Sequence, residues 1–151
     1  HTIGVGSMSG KNAQGVFMPT KLSGVSYLRQ YTYPTLTTTN QQRGDEIKNL
    51  KALYNNLSSD YKEELKLYAK KYNNLPNYAK PNAVRTSSAF AVYVMLIWNI
   101  EKSDPGHIDI STVTQTDLDL IVDGAVSIAL QVDAGYLLSV PGYEMYTSNW
   151  S

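Results

Sequence analysis

The chain has 151 residues, no cysteine, and thirteen basic residues against thirteen acidic ones. This length favours one domain with an appended arm, and the lack of cysteine excludes disulfides and thiolate metal sites. The longest apolar run, Ala89 to Trp98, is about half the length that a membrane-spanning helix needs, so we predict no membrane span.

The charges are sorted by position along the chain. Residues 1–85 contain twelve basic and five acidic side chains, whereas residues 86–151 contain one lysine and eight acidic side chains. A net charge of zero therefore conceals a basic half and an acidic half. Such asymmetry is typical of a chain that binds nucleic acid through its basic part, or of one whose charged ends meet.

Residues 1–36 are predicted to form an extended arm. This stretch is rich in Gly, Ser and Thr, and its short apolar pieces, Val16–Met18 and Val25–Leu28, are typical of isolated strands or extended docking segments. It has too few apolar residues to form a core of its own. We expect the arm to be pinned by the chain's own helices or by neighbouring copies.

Residues 37–151 are predicted to form a single globular domain, α+β in class and mainly helical. Capping residues and apolar spacing predict a first helix over about 38–57 and a second over about 59–73. The short link between them predicts an antiparallel helix hairpin. The second helix carries four apolar or aromatic residues on one face: Tyr61, Leu65, Tyr68 and Tyr72.

A third helix over about 87–101 is apolar nearly all round, so we expect it to be the most buried element. A buried strand is the alternative, and the length favours a helix. A short fourth helix is predicted over about 115–122. Alternation of apolar residues on either side of a turn at 133–135 predicts a small β-hairpin over about 126–140, followed by an aromatic tail.

No pattern in the chain points to catalysis, to a cofactor or to a metal. His107 is the only internal histidine, whereas zinc needs three or four ligands, so we interpret it as a solvated loop residue. Asp117 and Asp119 are two residues apart on a helix and therefore point in different directions. The glycines from Gly4 to Gly10 lack the Lys-Ser/Thr that a phosphate loop requires.

A set of short motifs in the first half does point to a family. The residues are Gly6–Lys11, Tyr27–Arg29, Pro34, Thr39, Gln42, Arg43, Leu57, Lys66, Tyr68, Ala69 and Lys71. A Gly-rich opening, an arginine before a Pro–Thr–Gln–Arg stretch and two helices resembles small phage-associated and prophage-associated proteins of unknown function. The resemblance covers about residues 6–75. It implies a virion structural or assembly protein, with no catalytic residues to carry over.

The leading hypothesis is a non-enzymatic, self-assembling structural subunit of a phage or viral capsid or tail, or of an extracellular filament. Its partners would be copies of itself and other virion proteins, and it would be in the cytoplasm during assembly. The basic arm of one copy would lie on the acidic C-terminal region of the next. Candidate assembly contacts are Phe17, Tyr27, Leu28, Arg29, Tyr31, Tyr33, Asp117, Asp123, Tyr143 and Trp150.

Two alternatives remain open at this stage. A nucleic-acid-binding or genome-packaging protein would use the basic half, where Lys62, Lys66 and Lys70 follow one helix face and could track a phosphate backbone. Glu63 and Glu64 interrupt that face, which is typical of a solvated helix surface. A small enzyme or ligand-binding domain is the third hypothesis.

Overall fold

The chain divides into two compact units, residues 1–37 and residues 38–151. The computed structural model describes residues 10–12, 15–19, 26–29, 35–80, 88–103, 105–106 and 108–151. The two units are described separately, beginning with the first.

The described part of the N-terminal unit is a three-stranded antiparallel sheet. Strands β1 (Gly10–Asn12), β2 (Gly15–Pro19) and β3 (Ser26–Arg29) follow one another in the order β1-β2-β3. Phe17 pairs with Leu28 across the second ladder. The two apolar pieces that were predicted as isolated strands or docking segments therefore pair with each other, because a sheet satisfies backbone groups that an isolated strand leaves open.

The second unit is mainly helical, as the sequence predicts. It contains α1 (Thr38–Asn56), α2 (Ser59–Asn74), α3 (Ala89–Ser103), α4 (Gln115–Ile121) and α5 (Ile128–Asp133). Short 3₁₀ turns cover Asn77–Ala79 and Tyr143–Met145. Among the residues that the structure describes, none of the helices combines the length and the hydropathy needed to cross a bilayer.

Helix α3 is the element around which this unit is built. Its apolar side chains are buried on several sides, and Val92, Leu96 and Ile100 are completely inaccessible. Both α1 and α2 pack against α3, whereas α1 and α2 touch each other little. The most apolar helix is thus the common partner of the two helices that were predicted to form a hairpin.

Helix α2 begins and packs as its sequence predicts. The hydroxyl of Ser58 accepts a hydrogen bond from the backbone N–H of Tyr61 at 3.3 Å, which caps the helix. Tyr61, Leu65 and Tyr72 from the predicted face are completely buried. Helix α1 differs, because its buried residues, Leu50 and Leu53, all lie in its second half.

The predicted C-terminal β-hairpin over about 126–140 is wrong. Ile128–Asp133 form helix α5, and the hydroxyl of Ser127 caps it by accepting from the N–H of Leu130 at 3.5 Å. The helix ends at Asp133, Ala134 is the C-cap, and Gly135 follows with a positive φ of 81° that allows a Schellman motif. In that motif the N–H groups of Gly135 and Tyr136 donate to the carbonyls of Val132 and Gln131, each at 2.9 Å. Cap chemistry at both ends overrides the alternation of apolar residues.

The predicted aromatic tail closes the core. Trp150 is 0% exposed, and its ring lies 6.2 Å from that of Tyr61. Its backbone N–H donates to the carbonyl of Val126, and its carbonyl accepts from the N–H of Ser58, both at 3.0 Å. The indole N–H donates to the carboxylate of Asp119 at 2.7 Å. The tail is thus bonded to α2, α4 and the start of α5.

Candidate interaction surfaces

The predicted contact residues of the first unit lie on its two longest strands. Phe17 is in β2, and Tyr27, Leu28 and Arg29 are in β3. The register places Val16 opposite Arg29. The predicted contacts Tyr31 and Tyr33, and also His107, lie outside the described residues.

Asp117 is exposed, but its carboxylate already serves a local structural role. It accepts hydrogen bonds from the N–H of Thr114 at 2.9 Å and from the Thr114 hydroxyl at 2.6 Å, which completes a capping box at the start of α4. These bonds hold the pKa of Asp117 below its ordinary value. Asp119 faces elsewhere and accepts from Trp150 and Gln115, so the two carboxylates do not form a pair.

The other predicted contacts of the C-terminal region differ in accessibility. Asp123 is exposed and Tyr143 is half-buried. The Tyr143 hydroxyl donates to the carboxylate of Asp133 at 2.9 Å, and this hydrogen bond raises the pKa of Tyr143. Trp150 is fully buried, so its indole cannot reach a second molecule while the tail stays in place.

Two small surfaces combine exposed acids with exposed apolar side chains. On the first, the α4 surface, Asp117 and Leu120 lie three residues apart on α4, Asp123 follows just after the helix, and 76% of Leu120 is exposed. The second, the α5 surface, consists of Leu130, Asp133, Tyr143, Glu144 and Met145. It is held together by contact between α5 and the Tyr143–Met145 turn, and by the bond from Ala129 N–H to Tyr146 O at 2.9 Å.

Exposed apolar groups are the part of these surfaces that the sequence analysis missed. Met145 is 79% exposed and Leu130 is 47% exposed. The signal for Leu130 was its spacing of three residues from Asp133, which places both on one side of a helix. That spacing is informative only once α5 is recognised as a helix.

Opposite charges meet little within the described residues. The two ion pairs found there are local: Lys48 with Asp45 at 3.0 Å, and Lys66 with Glu63 at 2.5 Å. Neither of them joins the basic half to the acidic half. One polar contact between the halves uses an acid of the basic half: Glu64 accepts from the N–H and hydroxyl of Ser148 at 3.1 and 2.8 Å. The acids of the α4 and α5 surfaces thus have no ion pair with the described basic residues.

The predicted basic face of α2 is partly occupied. The Lys62 ammonium donates to the carbonyl of Asn55 at 2.8 Å, and Lys66 pairs with Glu63, which raises the pKa of Lys66. Lys62 and Lys66, two of the three lysines that are spaced four residues apart, therefore already have partners on α1 and α2.

A polar cleft of about 670 Å³ lies between α1, α3 and the segment after α3. One wall is the first half of α1 and the other is the end of α3, where Trp98 is half-buried. Its lining residues are Thr39, Gln42, Arg43, Glu46, Trp98, Glu101, Lys102, Ile108, Asp109 and Ile110. The side-chain amide of Asn49 fixes the third wall by donating to the carbonyls of Ile110 and Val113, both at 2.9 Å.

The cleft holds five charged side chains, and neither of the ion pairs in the described residues involves any of them. Asp109 accepts from the hydroxyl and the N–H of Ser111 at 2.6 and 2.9 Å, which lowers its pKa. In the part of the chain that is described, no three His, Asp or Glu side chains are grouped as a metal site requires. The apolar pattern of α3 predicts burial for Trp98, although Glu101 and Lys102 one turn later mark that side of the helix as accessible.

These surfaces and the cleft therefore have to be interpreted from their own chemistry. Comparison with family models, with curated proteins and with solved structures finds no match to this chain.

Proposed function

We propose that this chain is a non-enzymatic structural subunit that assembles with copies of itself, in a phage or viral particle or in an extracellular filament. The observation that carries the proposal is that acidic side chains of residues 86–151 are exposed and lack ion pairs with the described basic residues. Asp123, Asp133 and Glu144 are exposed, and no ion pair in the described residues connects the acids of this half to the basic half. Such charges are available to a basic partner.

The chain itself contains a basic partner of suitable composition. All thirteen acidic residues of the sequence lie in residues 38–151, whereas residues 1–37 contain Lys11, Lys21 and Arg29 and no acid. The N-terminal unit of one copy is therefore complementary in charge to the α4 and α5 surfaces of another. Leu120, Leu130 and Met145 supply the apolar area that a polar contact alone lacks.

The geometry of such a contact determines the kind of assembly. A contact between two different surfaces of the same chain is heterologous, so each copy still offers one free surface of each kind. Repetition of this contact closes into a ring or extends into a filament. The proposal thus places the subunit in a symmetric particle or fibre.

The direct test is the mass of the protein in solution as a function of salt. Light scattering after size-exclusion chromatography should detect oligomers at low ionic strength, and these should dissociate as salt is raised, because added salt shortens the Debye length and weakens attraction between solvent-exposed charges. A protein that remains monomeric at high concentration and low salt would remove the proposal.

Charge reversal identifies the surfaces involved. Asp133→Lys together with Glu144→Lys should abolish the oligomer, and Lys11→Glu together with Arg29→Glu should restore it in the same chain. Glu63→Lys is the matched control, because Glu63 is an exposed acid on α2, outside both surfaces. Loss of assembly in the control as well would indicate a general charge effect rather than a specific contact.

Nucleic acid binding is the competing function, and the α2 face supports it less than the sequence alone suggested. Lys62 and Lys66 have protein partners, and a phosphate would have to replace these exposed, weak interactions. Retention of the protein on DNA at low salt, lost in a Lys66→Glu and Lys70→Glu double variant, would favour this alternative over self-assembly.

A further inference from the structure

The cleft between α1 and α3 has features that self-assembly does not explain. Helix α1 extends well before its first buried residue, Leu50, and this earlier half faces Trp98 with polar side chains. Trp98 belongs to the most apolar helix of the chain, yet part of its surface remains accessible. An accessible indole beside polar groups on rigid helices is typical of a ligand site.

The balance of charges excludes the strongly charged ligands. An anion would meet Glu46, Glu101 and Asp109, and a cation would meet Arg43 and Lys102. The lining offers donors from Arg43 and Lys102, and also from the side chains of Gln42 and Thr39. It offers acceptors from the three carboxylates. A ligand that is uncharged and both donates and accepts hydrogen bonds fits this set.

We propose that the cleft between α1 and α3 binds a neutral oligosaccharide, with one sugar ring stacked on the indole of Trp98. A pyranose ring presents a face of C–H groups that packs on an aromatic ring, and its rim of hydroxyls both donates and accepts. Arg43 and Glu101, on facing helices, bond these hydroxyls. The volume of about 670 Å³ accommodates more than one sugar ring.

Hydrogen bonds within the protein hold the walls of the cleft. Asn49 bonds two carbonyls of the 108–113 segment, and Asp109 is oriented by Ser111. Two of the walls are helices, so the site loses little conformational entropy when a ligand binds. This inference is independent of the proposed function, because the cleft residues are not among those of the α4 and α5 surfaces.

The two tryptophans of the chain allow a selective test. Trp150 is fully buried, so quenching of fluorescence by acrylamide reports on the accessible Trp98. The probes are linear oligosaccharides of glucose, N-acetylglucosamine, mannose and galactose. At least one should protect Trp98 from acrylamide in a saturable manner, with a matching heat of binding in calorimetry.

Variants show whether the cleft is responsible. Arg43→Ala and Glu101→Ala should each weaken binding roughly tenfold, because each removes a charged hydrogen-bonding group. Asp45→Ala is the matched control, since Asp45 is the neighbour of Glu46 on α1 and does not line the cleft, and its affinity should equal that of the parent chain. Thermal unfolding of each variant confirms that the fold is retained.

Three results would overturn the proposal. One is a complete lack of protection and of binding heat across the whole panel. Another is binding that Arg43→Ala and Trp98→Ala leave unchanged. The third is protection of Trp98 by a zwitterionic dipeptide when no sugar protects it, which would assign the cleft to peptides.

Discussion

The scaffold formed by α1–α3 and the C-terminal segment, residues 108–151, share one apolar core, but their backbone groups are satisfied in different ways. The scaffold helices satisfy their own backbone groups and adhere through buried apolar faces. The C-terminal segment has only two short helices, and scaffold side chains bond its backbone instead: Asn49 to Ile110, Ser58 to Asn149, Tyr68 to Leu138 and Asn99 to Tyr136. Irregular backbone can therefore be ordered when another element supplies the hydrogen bonds.

The largest effect should come from removing the apolar anchor of the C-terminal segment. Trp150→Ala should lower the free energy of unfolding by about 4 kcal/mol, because it leaves a cavity next to Tyr61 and removes a donor from Asp119. Denaturant unfolding measures the loss. Trp98→Ala is the control, with a clearly smaller loss because that ring is partly exposed. Equal losses would contradict the assignment of Trp150 as the main apolar anchor of the segment.

The polar link between α1 and the segment should rank next. Asn49→Ala should lower the free energy of unfolding by about 2 kcal/mol, because it leaves the carbonyls of Ile110 and Val113 without their donor. Asn55→Ala on the exposed side of the same helix should have little effect. Amide exchange near Val113 should accelerate in the first variant alone. Unchanged exchange there would show that Asn49 does not hold the segment.

Two buried tyrosines on α2 allow the stability contribution of a hydroxyl hydrogen bond to be distinguished from that of ring packing. The Tyr68 hydroxyl donates to the carbonyl of Leu138 at 2.5 Å, whereas the buried Tyr72 hydroxyl has no partner among the described residues. Tyr68→Phe should cost about 1 kcal/mol in unfolding free energy, and Tyr72→Phe should be neutral or slightly stabilising. Thermal unfolding of the two variants side by side tests this order. A larger loss for Tyr72→Phe would reverse the assignment.

The smallest expected effect is the change in stability at acidic pH. Hydrogen bonds from Thr114 and Ser111 depress the pKa of Asp117 and Asp109 in the folded chain. A carboxyl whose folded pKa is depressed contributes stability above its unfolded value of about 4, and the contribution is lost as pH falls through the folded pKa. The midpoint temperature of unfolding should therefore decrease slightly when the pH is lowered below about 4. In Asp117→Asn this part of the pH dependence should be smaller, because only the contribution of Asp109 remains.

The parts of the fold that the sequence reveals are those in which one kind of signal dominates. Helix α2 has both a capping serine and a complete apolar face, and α3 is apolar nearly throughout. Helix α5 was missed because its six residues are too few to distinguish a helical period from alternation. Ser127 and Gly135, which bound it, were the better signals. The cleft could not be predicted, since it depends on which way α1 faces α3.

The predicted contact residues were affected by the same limitation. Exposure of Asp123 and burial of Trp150 are both decided by how the C-terminal segment folds back on the scaffold. The local sequence pattern predicts neither the exposure of Asp123 nor the burial of Trp150, because the hydrogen bonds that place the segment join residues far apart in the chain. Composition, by contrast, identifies the acidic half without any knowledge of the fold, and Asp123, Asp133 and Glu144 of this half are exposed.

Ser58 has a consequence for the order in which the chain folds. This residue caps α2 and also bonds Asn149, 91 positions later. A contact between residues so far apart in sequence forms only after a large loop has closed. The entropy lost in closing that loop slows folding. Helices α2 and α3 are expected to associate first, with the tail docking onto them in a later kinetic phase. Mutations in the tail would then accelerate unfolding while leaving the early folding rate almost unchanged.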